Sequence, residues 1–176
     1  MRIISGTHKG RPIRLPAVFY ARPTTDFAKT GLFNILSNRV DFSSITVLDL
    51  FSGTGSIAYE FASRGCPHVD FVESHPLHFS FIRKTAETFG MNVLRGFKTD
   101  AFLFLRRCSI RYDIIFADPP YDLPGIETLP SLVFENSLLK EGGYLIIEHS
   151  SRINFDHHPS FIEKREYGKV NFSFFR

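Results

Sequence analysis

The chain has 176 residues, enough for one domain that buries roughly 70% of its unfolded surface without a metal or disulfide staple, and no apolar run approaches the roughly 18 residues that cross a bilayer. The N-terminus turns polar after Ile4, and the two cysteines, Cys66 and Cys108, stand outside any CxxC pair, so structural zinc and secretion are not expected and a reduced, cytoplasmic compartment is. The net charge of +3 is uneven: residues 1–40 carry seven Lys/Arg against Asp26 alone, and the rest carries 14 basic and 17 acidic side chains, which suits a polyanion-binding front on a mildly acidic body.

Residues 1–15 predict two short strands around the glycine-bounded turn Gly6-Thr7-His8-Lys9-Gly10. A connector with Pro16 and Pro23 follows. From Thr25 the spacing of Phe27, Leu32, Phe33, Leu36 and Val40 predicts a helix, with capping oxygens at Thr24, Thr25 and Asp26. Strand and helix then alternate: strand 45–50, helix 56–64, strand 69–72, helix 76–89, strand 92–95, helix 101–107, strand 113–117, a helix near 126–134 and strand 144–148. The tail reads as a hairpin, 161–167 and 170–175, turning at Gly168-Lys169, and its phenylalanines read as core. Repeated strand–helix units mean an α/β fold with a mostly parallel sheet and ligands beyond the carboxyl ends of its strands.

The informative residues fall at those ends. Gly53-x-Gly55 lies between the first central strand and its helix, where glycine lets the backbone turn sharply and a ligand press close. Asp49, four residues earlier, would repel a pyrophosphate. It suits a ligand with cationic groups and no phosphate, such as S-adenosylmethionine (SAM). Glu73 ends the second strand, where a carboxylate can accept both ribose hydroxyls. Asp100, with Ala101 and Phe102, follows the third strand, placed for an adenine amino group and ring. Each acid alone is equally well an ordinary cap; three at successive strand ends favour a nucleoside site. Asp118-Pro119-Pro120-Tyr121 follows the fourth strand. Two prolines fix φ and remove two N–H donors, leaving carbonyls, a carboxylate and an aromatic ring. That suits a planar substrate with an amino group, stacked on Tyr121, its N–H bonds accepted by Asp118 and the Pro119 carbonyl.

This order of motifs resembles class I SAM-dependent methyltransferases that act on exocyclic amines. The segments Ile4-Ser-Gly-Thr-His-Lys-Gly-Arg-Pro-Ile13, Arg22-Pro-Thr-Thr-Asp26, Leu32-Phe-Asn34, Ser63-Arg-Gly65, Glu148-His-Ser150 and Tyr167-Gly168 resemble the RsmD family in particular. The resemblance implies a Rossmann-like catalytic domain over 41–176 and an RNA-facing extension, a small β-hairpin plus helix, over 1–40. It implies methylation of the 2-amino group of one guanine in 16S rRNA, with naked rRNA or the small ribosomal subunit as partner and a monomeric enzyme. An adenine-amino methyltransferase on DNA or another RNA is the alternative. The cofactor would be SAM, held by Asp49, Phe51, Gly53, Gly55, Glu73, Asp100, Ala101, Phe102 and Asp118. Thr24 and Thr25 would donate to its methionine carboxylate. The catalytic residues would be Asp118, Pro119, Pro120 and Tyr121, and Lys9, Arg11, Arg14 and Arg22 would meet RNA phosphates. No metal is expected; His157-His158 lacks a third ligand, and His149 and both cysteines read as buried structural residues. Where the family usually continues with basic and acidic residues after Asp26, this chain has Phe27-Ala-Lys-Thr-Gly31, fewer cations and a helix-weakening glycine.

Overall fold

The alternation folds, in a computed structural model that describes residues 1–17, 19 and 24–176, into a seven-stranded sheet flanked by five α-helices. In chain order these are α1 (Asp26–Ser37), β1 (Thr46–Leu50), α2 (Ser56–Ser63), β2 (His68–Val72), α3 (Pro76–Phe89), β3 (Leu94–Phe97), α4 (Ala101–Arg107), β4 (Tyr112–Ala117), α5 (Leu129–Glu135), β5 (Leu139–His149), β6 (Phe161–Tyr167) and β7 (Val170–Phe175). Strand order is β3-β2-β1-β4-β5-β7-β6. The first five strands are parallel, and β7 joins β5 antiparallel with β6 outside it. Because side chains alternate along a strand, Val47, Phe116 and Ile146 face α1, α2 and α3, while Leu48, Ile115 and Ile147 face α4 and α5. Phe172, Phe174 and Phe175 are fully buried, as the tail reading expected.

Four expectations are corrected. The N-terminal hairpin is shorter than expected: Ile13 N–H to the Met1 carbonyl at 2.9 Å and Gly10 N–H to the Ile3 carbonyl at 2.8 Å flank one isolated Arg2–Pro12 bridge, and the turn is also bonded to α2, through Thr7 N–H to the Ser63 carbonyl at 2.8 Å. Strand β3 begins at Leu94 rather than Asn92, because a turn closed by Leu94 N–H on the Met91 carbonyl takes the preceding residues. Strand β5 starts at Leu139 and runs through Glu141-Gly-Gly143, where a turn was expected. A Cβ at Gly143 would lie 2.9 Å from the Asp113 carbonyl, so glycine there permits close strand approach. The helix near 126–134 opens as a 3-10 turn over Ile126–Thr128 and becomes α-helical at Leu129.

Packing explains the departure at the start of α1. A Cβ on Gly31 would meet the Tyr167 ring at 2.1 Å, so the glycine that weakens the helix lets that ring lie on its backbone. Phe27, expected in the core, is 67% exposed and meets Tyr167 edge-on at 5.7 Å. Lys29 points inward and is 1% exposed. Its ammonium donates to the Arg2 carbonyl at 2.7 Å and to Ser56 Oγ at 3.3 Å and lies 3.5 Å from Glu60, which is fully buried. Burial holds the lysine below its ordinary pKa, against the opposing pull of Glu60. Glu60 also accepts from the Ile4 and Ser5 amides at 2.9 and 3.0 Å and from Arg64 Nε at 3.0 Å. The N-terminal segment is thus tied to α2 by one buried carboxylate, and Ile3 and Ile13 enter the same core as Leu32, Phe33 and Val47. Cys66 is buried, whereas Cys108 is only half-buried, at the end of α4. His149 is buried and shares a hydrogen bond with Ser173 Oγ at 2.7 Å.

Candidate active site

Register places four acids on one face of the sheet at its carboxyl edge. Asp49 pairs with Phe71 on one side and Phe116 on the other, and Phe116 pairs with Ile146. Glu73, Asp118 and Glu148 each stand two residues beyond those partners, so alternation puts all four on the face of α1 and α2. Pairing continues past the strand ends to hold them there, through Glu73 N–H to the Phe97 carbonyl at 3.2 Å and Asp118 N–H to the Leu50 carbonyl at 3.4 Å. Asp49, Glu73 and Glu148 are 2%, 7% and 3% exposed, and Asp118 is half-buried.

The glycine loop wraps the first two acids. Phe51 adopts φ 57, a left-handed conformation that costs a non-glycine residue roughly 1–2 kcal/mol. Gly53 and Gly55 follow at φ 51 and 79. The Tyr59 ring backs Gly55, where a Cβ would lie 2.7 Å from it. Glu73 accepts the Gly53 amide on Oε2 at 2.8 Å and the His75 amide on Oε1 at 2.7 Å, so both oxygens are oriented while keeping lone pairs for a ligand. Asp49 accepts the Ala58 amide of α2 at 3.2 Å. Thr24 Oγ1 donates to Glu148 Oε2 at 3.3 Å, and Thr25 caps α1 by accepting from the Ala28 amide at 3.2 Å.

Burial and mutual repulsion set the protonation of this row. Burial pushes Asp49 up to about 8, with a smaller contribution from Glu73. Burial pushes Glu148 up to about 7, against the Thr24 hydrogen bond. Burial, then Glu148, then Asp49 hold Asp118 well above the carboxylate range. Among the described residues no lysine or arginine pairs with any of the four; His78 Nδ1 lies 3.9 Å from Glu73, and burial lowers its pKa. Such a row lacks only positive charge. A ligand with an ammonium and a sulfonium supplies it, and a pyrophosphate worsens the imbalance, so the donor set fits SAM and not a dinucleotide.

The remaining expected residues lie at different distances from the row. Tyr121 is 52% exposed beside Asp118 and Glu148, which together with burial raise its pKa. Phe51 and Phe102 meet edge-on at 6.1 Å, and Ala101 is buried beneath them. Asp100 is exposed and caps α4, accepting the Leu103 amide on Oδ1 at 2.9 Å, which orients the carboxylate and leaves Oδ2 open to solvent. Arg22 lies outside the described residues. Lys9, Arg11 and Arg14 are exposed and form no ion pair among the described residues. The loop bearing Lys9 and Arg11 docks on the far ends of α2 and α3: the His8 amide donates to Ser63 Oγ at 3.0 Å, and the Arg11 guanidinium covers Phe89 at 5.1 Å. Helix α2, eight residues or about 12 Å long, separates that loop from the acids. A cleft of about 340 Å3 opens at the amino end of the sheet as well, between Arg111, Lys140, Glu141 and Arg176. Chemistry, not volume, marks the site.

Two functional features escaped the sequence reading. Glu148 was read only as part of a motif, and nothing in its neighbours reveals that it stands beside Asp118; strand order was needed. Glu60 lies inside the expected helix 56–64, with nothing in the sequence to single it out. Its partners are 55 and 56 residues away, beyond any local pattern.

The family model described as Conserved hypothetical protein 95 matches residues 1–176. Bacillus subtilis YlbH is 32% identical over 87% of this chain and 84% of its own. Ribosomal RNA small subunit methyltransferase D of Haemophilus influenzae is 31% identical over 84% of this chain and 78% of its own. The solved structure of Escherichia coli yhhF superposes with a TM-score of 0.86 at 25% identity, covering 99% of this chain and 96% of that one.

Proposed function

Since the chain belongs to the Conserved hypothetical protein 95 family, the family of ribosomal RNA small subunit methyltransferase D, we propose that it transfers a methyl group from SAM to the exocyclic 2-amino group of a guanine in 16S rRNA. The observation that carries this reading is the row of Asp49, Glu73, Asp118 and Glu148 on one face, ending in Asp-Pro-Pro-Tyr. Asp49 and the glycine loop hold the methionine end of SAM, Glu73 the ribose, and Phe51, Ala101, Phe102 and Asp100 the adenine. Thr25 and the Thr24 backbone amide face the methionine carboxylate, while the Thr24 hydroxyl stays on Glu148. When bound, SAM supplies an electrophilic methyl on a positively charged sulfur.

The chain's residues do the rest. Tyr121 stacks the flipped guanine. Asp118 and the Pro119 carbonyl accept the two amino N–H bonds, which turns the nitrogen lone pair out of the ring plane and towards the methyl. As the N–C bond forms and the S–C bond breaks, the nitrogen becomes acidic and its surplus proton passes to the Asp118 carboxylate. Alignment supplies most of the rate, about 7–11 kcal/mol for a well-oriented encounter. Residues 1–40 face the RNA. The protein acts as a monomer in the cytoplasm on rRNA or the small subunit, without a metal. Incubation with labelled SAM and unmodified small subunits, free 16S rRNA or duplex DNA tests the reading. Label in RNA is expected; label in DNA alone contradicts it.

Protonation gives a second expected result. Near neutral pH the free row holds protons that a cationic ligand expels. SAM affinity therefore rises as pH goes from about 6 to about 8, with proton release into the buffer, as ionised Asp49 gains a partner. Calorimetry in buffers of different ionisation enthalpy measures this. A flat affinity with no proton release contradicts the assignment of the row to SAM.

The position of the basic loop sets a third. Lys9→Ala with Arg11→Ala weakens RNA binding and lowers the salt slope by about two, while kcat stays unchanged, because these residues meet phosphates about a helix length from the chemistry. Filter binding across a salt series checks it, and an unchanged slope removes the loop from the interface.

A further inference from the structure

Asp118 and Glu148 stand side by side: Ala117 and Ile147 are register partners, and the acids are the next residues on β4 and β5, strands roughly 4.8 Å apart. Glu148 is 3% exposed and supports no packing charge; its one side-chain bond among the described residues is the Thr24 hydroxyl on Oε2, which fixes the carboxylate and leaves Oε1. Burying a second carboxylate beside the first costs stability and is unnecessary for a site that accepts only one amino group. A guanine edge, however, presents two adjacent donors, the 2-amino N–H and the ring N1–H. Adenine presents an acceptor at N1, which a carboxylate repels.

We propose that Glu148 is a specificity-determining residue: its carboxylate accepts the N1–H of the target guanine while Asp118 accepts the 2-amino group. The assignment rests on the reading above that a guanine 2-amino group is the acceptor, and deepens it by naming what reads the base. The groups facing Glu148 are the Asp118 carboxylate just beyond β4, the Tyr121 hydroxyl and the Thr24 hydroxyl; none is a cation, so the N1–H meets an acceptor with no competing charge among the described residues. Thr24 acts as a positioning residue for Glu148.

The test compares substrate RNA carrying guanine with RNA carrying 2-aminopurine at the target position. The analogue keeps the 2-amino group but has an acceptor at N1. Measurements are made at about pH 8.5, above the value of about 7 to which burial pushes Glu148. The wild-type enzyme is expected to prefer guanine by about 100-fold in kcat/KM, the cost of facing an acceptor with an acceptor. Glu148→Gln supplies an amide N–H that 2-aminopurine N1 can accept, and should narrow that preference at least about tenfold. SAM affinity of the variant, read separately, reports that it is folded. Wild-type use of both bases within about threefold, or a Glu148→Gln change that lowers both equally, overturns the assignment. Should the variant fail to fold, the wild-type ratio decides. Product identity separates the two readings: 2-methylguanosine with an unchanged ratio removes Glu148 alone, whereas another product removes the guanine reading and Glu148 with it.

Discussion

Asp118→Ala lowers kcat by at least about 1,000-fold while leaving the Kd for SAM within about fivefold. The side chain is the only carboxylate of the row carried by the Asp-Pro-Pro-Tyr turn, and it reaches its place by continuing β4 one residue beyond Ala117. Without it the amino group keeps its lone pair conjugated with the ring, and the proton released by methylation has no adjacent acceptor. The cofactor retains Asp49, Glu73 and the loop. The carboxamide variant, Asp118→Asn, still offers one acceptor but no proton sink, and is expected to fall between the two. Single-turnover kinetics with equilibrium binding separates chemistry from affinity. Wild-type turnover by Asp118→Ala contradicts the chemistry; a lost SAM affinity with normal turnover at saturation moves Asp118 to the cofactor.

Glu60→Ala destabilises the fold by about 3–5 kcal/mol, the cost of breaking a buried ion pair by removing one partner. The loss strands the Lys29 ammonium, which is 1% exposed, and leaves the Ile4 and Ser5 amides without their acceptor. For a chain of this length the fall in Tm is roughly 10 °C. Adding Lys29→Met restores part of it, because an apolar side chain of similar shape has no charge to leave unpaired. Denaturant unfolding of the three variants checks both steps. A Glu60→Ala cost below about 1 kcal/mol contradicts the anchoring role, and so does a double variant less stable than the single one.

Local signals carried the fold a long way. Helices α3 and α4 were legible to the residue, because Pro76 opens one, Gly90 closes it in a left-handed conformation and Asp100 caps the other. The acids Asp49, Glu73 and Asp118 were legible because each ends a strand next to a turn residue. What failed was non-local. Strand β5 begins five residues earlier than expected, since only the neighbouring Asp113 carbonyl shows why Gly143 lies in a strand and not in a turn. Phe27 fits the helical apolar spacing but is exposed, because Tyr167, 140 residues on, occupies the position over Gly31 that a core residue would fill. Glu148 needed the sheet order, and Glu60 needed the path of the N-terminal segment. The basic charge of residues 1–40 was visible as a sum, but not that Lys29 is internal, nor that Lys9 and Arg11 sit at the end of the molecule remote from the acids.

One measurement tests the central claim most directly: nuclease digestion of 16S rRNA after transfer from labelled SAM by the wild-type enzyme, with chromatography of the labelled nucleoside. The account predicts label in 2-methylguanosine at a single position, abolished by Asp118→Ala. Label in methyladenosine, or in guanosine methylated at a ring nitrogen, would contradict it, because neither places a 2-amino group against Asp118 and a ring N1–H against Glu148.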